Sequence, residues 1–397
     1  MKQFRHLLAG LAVVGLLFTG CKKDIQSEST APQTEGLSSA QRLQGLNPAV
    51  KAKLQGLRAQ LPAGSEKRLK RNAAAFLKVH PHYRAQVERA LAITPTACDG
   101  NTAINQWLSG ELADWDDQVI FFALVTGMLD FPTYDALLFE NSSANQYFGV
   151  NGEHTQRIQK TFKDLKRFWN ISSTGIQLVG LHGDMLLDRE KIIRIDGILY
   201  GSTPEESAFW ADLIIDLMNT VPQYRKGDHP IFTFNAFAVN SFAFPPYGII
   251  PNKIIMGDGI LAGLSAIGFG DVAPQAILAH EFGHQIQYQL GLFTGEGTPE
   301  ATRRTELMAD AYAAYYLSHA RGASMQWKRV SQFLQVFFNI GDCGFTDPGH
   351  HGTPTQRMAA ANWGYQLANN AQKQGHILTA QQFAALFDAA LPSIVSQ

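Results

Sequence analysis

The chain has 397 residues, with 33 Lys and Arg against 34 Asp and Glu, a formal net charge of −1. That balance offers no basic surface for a nucleic acid, and no nucleic-acid partner is expected. At 45% apolar and 17% charged residues the composition is that of a globular protein, long enough for one large domain or two.

Residues 1–20 join Lys2, Arg5 and His6 to an apolar run from Leu7 to Phe18. The run is too short to span a bilayer and has the pattern of a signal peptide. Thr19-Gly20-Cys21 sets a small residue before a cysteine, which resembles a bacterial lipoprotein signal with Cys21 as the lipidated first residue. Lys22-Lys23-Asp24 resembles the charged tether of such lipoproteins, and residues 21–44 are expected to be a disordered tether. The expected location is the cell envelope, anchored by Cys21 to the outer membrane on its periplasmic or surface face.

Residues 45–190 are expected to form a helical N-terminal region, with helices over Asn47 to Gln60, Ser65 to Val79, Tyr83 to Ile93 and Asp116 to Leu129. The apolar stretch Val119 to Phe131 contains Asp130 and is too short for a bilayer, so a buried helix is predicted. Gln177-Leu178-Val179 and Lys191-Ile192-Ile193-Arg194-Ile195 are β-like. Between them, Gly180 to Asp184 reads as a tight turn, with His182 as a residue that lines a cleft in the less favoured reading. An amphipathic helix over Pro204 to Asn219, aromatic strands within Ile231 to Phe244 and a short strand over Ile254 to Met256 follow. Cys98 and Cys343 either form a disulfide, in an oxidising compartment, or remain two buried thiols.

Residues 191–397 hold the chemistry. Pro274 suits the first turn of a helix, the pattern runs from Ala276 to Leu290, and Gly291 is its stop. Within it lies His280-Glu281-Phe282-Gly283-His284, an HExxH motif. Histidines four apart share a helix face and reach one Zn²⁺ at about 2.0–2.1 Å. Glu281 then stands where a carboxylate takes the proton of a metal-activated water.

A catalytic zinc takes three protein ligands. Downstream candidates are Glu296, Glu300, Glu306, Asp310, His319, His350 and His351. The extended form with a third histidine is excluded, because that position is Leu290. A second helix, capped by Thr298 with Pro299 in its first turn, runs to His319 and carries Glu306 and Asp310 on one face. Burying two carboxylates there is costly unless a metal and a histidine compensate them. Glu306 as third ligand, with Asp310 accepting a ligand histidine's N–H, accounts for the pair; the alternative for Asp310 is an ion pair with Arg303 or a lysine.

These residues resemble the HExxH-plus-glutamate zinc peptidases, the gluzincins, and in particular the neutral zinc metallopeptidase family. That family's HExGHxxQ, ELxAD and HGTxxQR segments match His280 to Gln287, Glu306 to Asp310 and His351 to Arg357, in the same order. The resemblance covers about 271–363 and implies zinc on His280, His284 and Glu306 with Glu281 as general base. The helix continues Ala311-Tyr312-Ala313 without the cysteine expected after the aspartate. For the oxyanion the candidates are His350, His351, Tyr315, Tyr316 and Arg357. His351 is preferred as a member of the HGTxxQR segment, whose other reading is a structural loop in which Arg357 pairs with a carboxylate. Asn235-Ala236-Phe237-Ala238 and the Lys253 to Leu261 run also resemble the segment before HExxH in HtpX-like peptidases. Ile254 to Met256 is then either an edge strand that takes up an extended peptide or an internal strand.

The expectation is a mainly helical α+β fold: a zincin-like metallopeptidase domain with a small sheet beside the active-site helix, closed by a helix capped at Thr379 and running to Leu391. The expected activity is zinc-dependent endopeptidase action on a protein or peptide. The alternatives are a zinc amidohydrolase of a narrow non-protein substrate, or a non-catalytic or latent surface lipoprotein that retains a zinc site.

Overall fold

The computed structural model describes residues 47–79, 102–142, 146–293, 298–339, 352–372 and 375–396. The leader with Cys21, the tether, the Tyr83 to Ile93 run, Cys98, Glu296, Cys343, His350 and His351 lie outside the described residues. The described chain is mainly helical with a small sheet.

The upstream part builds α1 (Pro48–Ala59), α2 (Ser65–Val79), α3 (Ala103–Glu111), α4 (Asp117–Thr126), α5 (Phe131–Leu138) and α6 (Thr155–Phe168). By length and composition Asp117–Leu138 passes for a membrane span. Gly127, at φ 78°, ends α4 and divides that stretch into two helices whose apolar residues line the core.

β1 (Gln177–Leu181) is longer than predicted and leads into a 3-10 turn at Gly183–Leu187. The Lys191 to Ile195 run is not a strand but part of α7 (Arg189–Tyr200). Asp188 Oδ1 accepts from the backbone N–H groups of Glu190 and Lys191, both at 3.1 Å, and Gly201 at φ 68° ends the helix. This cap and stop outweigh the β-branched composition. Helix α8 (Pro204–Thr220) starts with a reciprocal capping box between Thr203 and Glu206.

The aromatic stretch after α8 is less extended than expected, because Pro230–Thr233 closes a 3-10 turn. β2 (Ala236–Val239) follows, and β3 (Phe242–Ala243) pairs with β4 (Ile249–Ile250) in a separate hairpin. β5 (Lys253–Gly257) lies in the middle of a three-stranded sheet, parallel to β1 and antiparallel to β2. Ile254 to Met256 is therefore internal, and the edge-strand reading of that run is corrected. The cause is visible in its alternation: Ile254 and Met256 join the main core with Leu178, Ala236 and Ala238. Ile255 joins a smaller cluster on the other face with Val179, Leu181, Phe237 and Val239. A strand apolar on both faces belongs to a sheet covered on both sides, and its pairing with β1 and β2 makes it the middle strand.

Downstream come α9 (Asp258–Ala266), α10 (Ala273–Leu290), α11 (Pro299–Ser318), α12 (Trp327–Asn339), α13 (Pro354–Gln372) and α14 (Ala380–Val395). α14 passes through Pro392 instead of ending before it; so near the helix end, proline removes a bond from the last turn only. One hydrophobic core runs from Leu54 to Ile394, joining residues on both sides of position 190.

α11 packs against both α10 and α13. Gly283 of α10 faces Ala309 of α11 so closely that a Cβ on it would stand 3.0 Å from the Ala309 Cα. Gly364 of α13 likewise meets the backbone of Ala311. These two contacts set the spacing of the three helices that carry the site.

Candidate metal centre

α10 is buried from Ala273 to Gln287 apart from Gln275, including His280, Glu281, His284, Gln285 and Gln287. Polar groups inside a core need partners: α11 supplies those of His280 and Gln287, and the strands β2 and β5 those of Gln285, whose Nε2 donates to Val239 O and Lys253 O. His280 Nε2 and His284 Nε2 stand 3.1 Å apart. Each also lies 3.3 Å from a Glu306 carboxylate oxygen, Oε2 for His280 and Oε1 for His284. Ligand atoms on one tetrahedral zinc at about 2.0–2.1 Å are about 3.3 Å from one another, and each nitrogen lies at that spacing from the nearer oxygen of the one carboxylate. Two imidazole nitrogens this close repel unless a cation or proton is shared between them. His280, His284 and Glu306 are thus a buried group that can hold a metal ion.

Each imidazole is fixed by its other nitrogen. His280 Nδ1 is 2.8 Å from Asp310 Oδ1, and His284 Nδ1 is 2.8 Å from Gln287 Oε1. Carboxylate and amide oxygens only accept, so both Nδ1 atoms donate and both Nε2 lone pairs are left for the metal. The Gln287 amide is itself oriented by its Nε2, which donates to Thr305 O at 2.7 Å.

Asp310 is fully buried, and its charge is met by Arg357 of α13. Arg357 Nε donates to Oδ2 and Nη2 to Oδ1, both at 2.7 Å. The Arg357 side chain is fully buried as well, and such a forked pair fixes the carboxylate in position and orientation. The alternative partner, Arg303, is not used. Burial disfavours the His280 imidazolium, but the hydrogen bonds and charges of Asp310 and Glu306 outweigh it and push His280 up to about 9. Raised basicity of this origin strengthens a metal ligand.

Glu281 is buried beside the donor group, and its Oε2 has no hydrogen-bond partner among the described residues. Burial raises its pKa, against the pull of His280, His284 and Arg357. A carboxylate so placed is a stronger proton acceptor than a solvated one.

The described part of the HGTxxQR segment has structural roles. Gly352, at φ 98°, sits against Leu307 of α11, next to Glu306. Thr353 Oγ1 accepts from Gln356 N, and Gln356 Oε1 accepts from Thr353 N, a reciprocal cap for α13. Arg357 then reaches Asp310. Sequence reasoning left open which carboxylate Arg357 meets and gave Gln287 no role; spacing three residues after a ligand histidine was the signal for Gln287.

Other candidates belong elsewhere. Glu300 is exposed in the first turn of α11. His319 Nε2 bonds to His376 O, and its Nδ1 accepts from Arg321 N. Tyr315 Oη accepts from Leu378 N, and Tyr316 packs edge-on against Phe168. Arg357 is occupied by Asp310. All three side chains are buried. His182 Nδ1 is 2.7 Å from Asp258 Oδ2 and its ring stacks on Tyr147, tying the end of β1 to α9.

No protein-family model matches the chain, and no solved structure matches it. Similar curated proteins include an uncharacterised protein of Mycobacterium bovis and uncharacterised proteins of two strains of Mycobacterium tuberculosis. Each is 30% identical over 125 residues, covering 25% of this chain and 43% of the relative. The match thus spans less than half the length of those relatives.

Proposed function

We propose that this chain is a zinc-dependent endopeptidase of the gluzincin type, with a zincin-like catalytic domain, borne on an envelope lipoprotein anchored at Cys21. The observation that carries the reading is the buried group of His280 Nε2, His284 Nε2 and the Glu306 carboxylate, the nitrogens 3.1 Å apart and each 3.3 Å from a different carboxylate oxygen. Two neutral nitrogens and one carboxylate suit Zn²⁺.

When bound, zinc supplies a Lewis acid that polarises a carbonyl and acidifies water. The chain does the rest. Asp310 and Gln287 hold the two imidazoles in the tautomer that exposes Nε2. Arg357 holds the Asp310 carboxylate in orientation with a forked pair of hydrogen bonds. Glu281 takes the proton from the attacking water on its Oε2 and returns it to the leaving amine, a transfer its raised pKa assists. His351, from the HGTxxQR resemblance, is the proposed oxyanion partner. Glu281 also weighs against a binding lipoprotein with a merely structural ion, because a structural site needs no base and fills its fourth position with Cys or His.

The test is metal analysis together with cleavage of a broad peptide library by the mature protein. The reading predicts about one zinc per chain and cleavage that a chelator stops and added zinc restores. Zinc without cleavage points to the latent or narrow-substrate reading, and protein that binds no zinc overturns the proposal.

A further inference from the structure

After Val239 the chain leaves the central sheet and returns to it at Lys253 through the β3–β4 hairpin. Phe242 pairs with Ile250 and Ala243 with Ile249. At the tip, Phe244 N donates to Gly248 O at 2.6 Å and Tyr247 N donates to Phe244 O at 2.7 Å. The Tyr247 ring stacks on buried Phe244, 5.2 Å between centroids, and meets Phe139 edge-on at 5.3 Å. At the base, Ser241 N donates to Asn252 Oδ1 at 2.7 Å. The hairpin is thus fixed at both ends.

This fixed tip turns apolar groups to solvent. Among the described residues, Ile249 at 75% and Tyr247 at 48% are the most exposed large apolar side chains. Pro245, Pro246 and Gly248 beside them are exposed too. No residue from Ser241 to Asn252 carries a charge. The charges around Phe139 pair among themselves: Arg194, lying over its ring, meets Asp135, and Lys191 meets Asp135 and Glu140. One exposed isoleucine is ordinary, but a contiguous uncharged tip held by its own aromatic stack marks a contact with an apolar partner.

The length of chain before α1 says which partner. The 25 residues from 22 to 46 separate Cys21 from Asn47, where the described chain begins. A segment of that length spans at most about 85 Å. With a lipid on Cys21, the body therefore stays close to a bilayer, and a weak apolar contact gains from the high local concentration. The tether selects no face of the body; the exposed side chains select the hairpin. Tyrosine, apolar in its ring and polar at its hydroxyl, suits the headgroup boundary, and the uncharged tip suits the acyl chains below it.

We propose that the tip of the β3–β4 hairpin, from Pro245 to Ile249, dips into the surface of the bilayer that carries the Cys21 anchor. This rests on the lipoprotein reading of Cys21 and is independent of the peptidase reading. The contact also orients the candidate metal centre. The strands that continue the hairpin into the sheet offer Val239 O and Lys253 O to Gln285, the residue after His284.

The experiment places the lipidated protein in phosphatidylcholine vesicles and compares wild type, Ile249→Trp and Phe209→Trp, the last an exposed apolar position on α8. Mass spectrometry establishes the lipid on Cys21. After subtraction of the wild-type signal, the tryptophan at 249 should emit at shorter wavelength and be quenched by lipids brominated in the upper acyl chain. The tryptophan at 209 should show neither effect. Lipidated protein with no quenching at 249, or with equal quenching at both positions, overturns the hairpin contact and leaves the anchor standing. Protein without lipid on Cys21 sinks the anchor, and the contact falls with it. If unlipidated Cys21→Ser protein is a dimer that Ile249→Asp turns into a monomer, a second copy covers the tip and the proposal is overturned.

Discussion

Two buried arginine–aspartate pairs lie in this core, and they differ in what the aspartate does with its remaining capacity. Arg68 Nη2 meets Asp196 Oδ1 at 2.7 Å, and Arg357 Nη2 meets Asp310 Oδ1 at the same distance. Arg68, on α2, is held over the rings of Tyr200 and Trp210 and also donates to Thr126 O. Asp196 Oδ2 accepts a hydrogen bond from Ser207 Oγ at 3.0 Å. All its partners are structural, so the pair docks an N-terminal helix on the body. Asp310 instead accepts from His280, so its ion pair with Arg357 becomes part of the candidate metal site. A buried ion pair alone marks no site; the third partner does.

The largest effects should come from breaking both pairs the same way. Asp310→Ala and Asp196→Ala each strand a buried guanidinium and should each cost about 3–5 kcal/mol in denaturant unfolding. Only Asp310→Ala should also weaken zinc binding, by about 10–100-fold in a competition titration. Equal zinc affinity in the two variants would remove Asp310 from the site. Gly283→Ala probes the spacing that brings the donors together. Its new Cβ meets the backbone of Ala309, so a loss of about 1–3 kcal/mol is expected, with zinc affinity falling too. Unchanged affinity would mean that the α10–α11 distance is not what positions Glu306.

Gln287→Leu removes the neutral counterpart of Asp310. It should lower zinc affinity toward the lower end of the 10–100-fold range for such partners, with little loss of stability beyond that of an unpaired His284 Nδ1–H. Affinity unchanged from wild type would show that the His284 tautomer needs no holding.

The mildest effect is one of pH, at a buried cation away from both pairs. Lys253 Nζ donates to Ala136 O, Leu137 O and Glu140 O near the end of α5. Burial pulls its pKa down to about 8, against the charges of Glu140 and Asp135. The folded chain then binds this proton less tightly than the unfolded chain, so stability should rise as pH climbs from about 8 toward 10.5. The difference in Tm between wild type and Lys253→Met, followed from pH 7 upward, should move in favour of wild type. A flat difference would mean that the three carbonyls cancel the effect of burial.

Much of the helix pair that carries the candidate site was legible because its signals are local. Pro274 and Gly291 bracket α10, Thr298 and Pro299 open α11, and 3.6-residue periodicity puts His280 with His284 and Glu306 with Asp310. The coarse fold followed from the same cues. What sequence could not give depends on contacts between distant segments. Arg357 is 47 residues from Asp310, and only the packing of α13 on α11 brings them together. The Lys191 to Ile195 run misled because composition was weighed above the Asp188 cap and the Gly201 stop. The Ile254 to Met256 run left edge or centre open, since that depends on which strands flank it.

The most direct measurement sets wild type beside Glu281→Gln, assaying zinc content and peptide cleavage on the same samples. Glu281 holds no position in the donor triangle, so zinc content should be equal in the two proteins while cleavage drops by about 10²-fold or more in the variant. Equal cleavage by the two proteins would contradict the account, because the group assigned to move the proton would then play no part in the reaction.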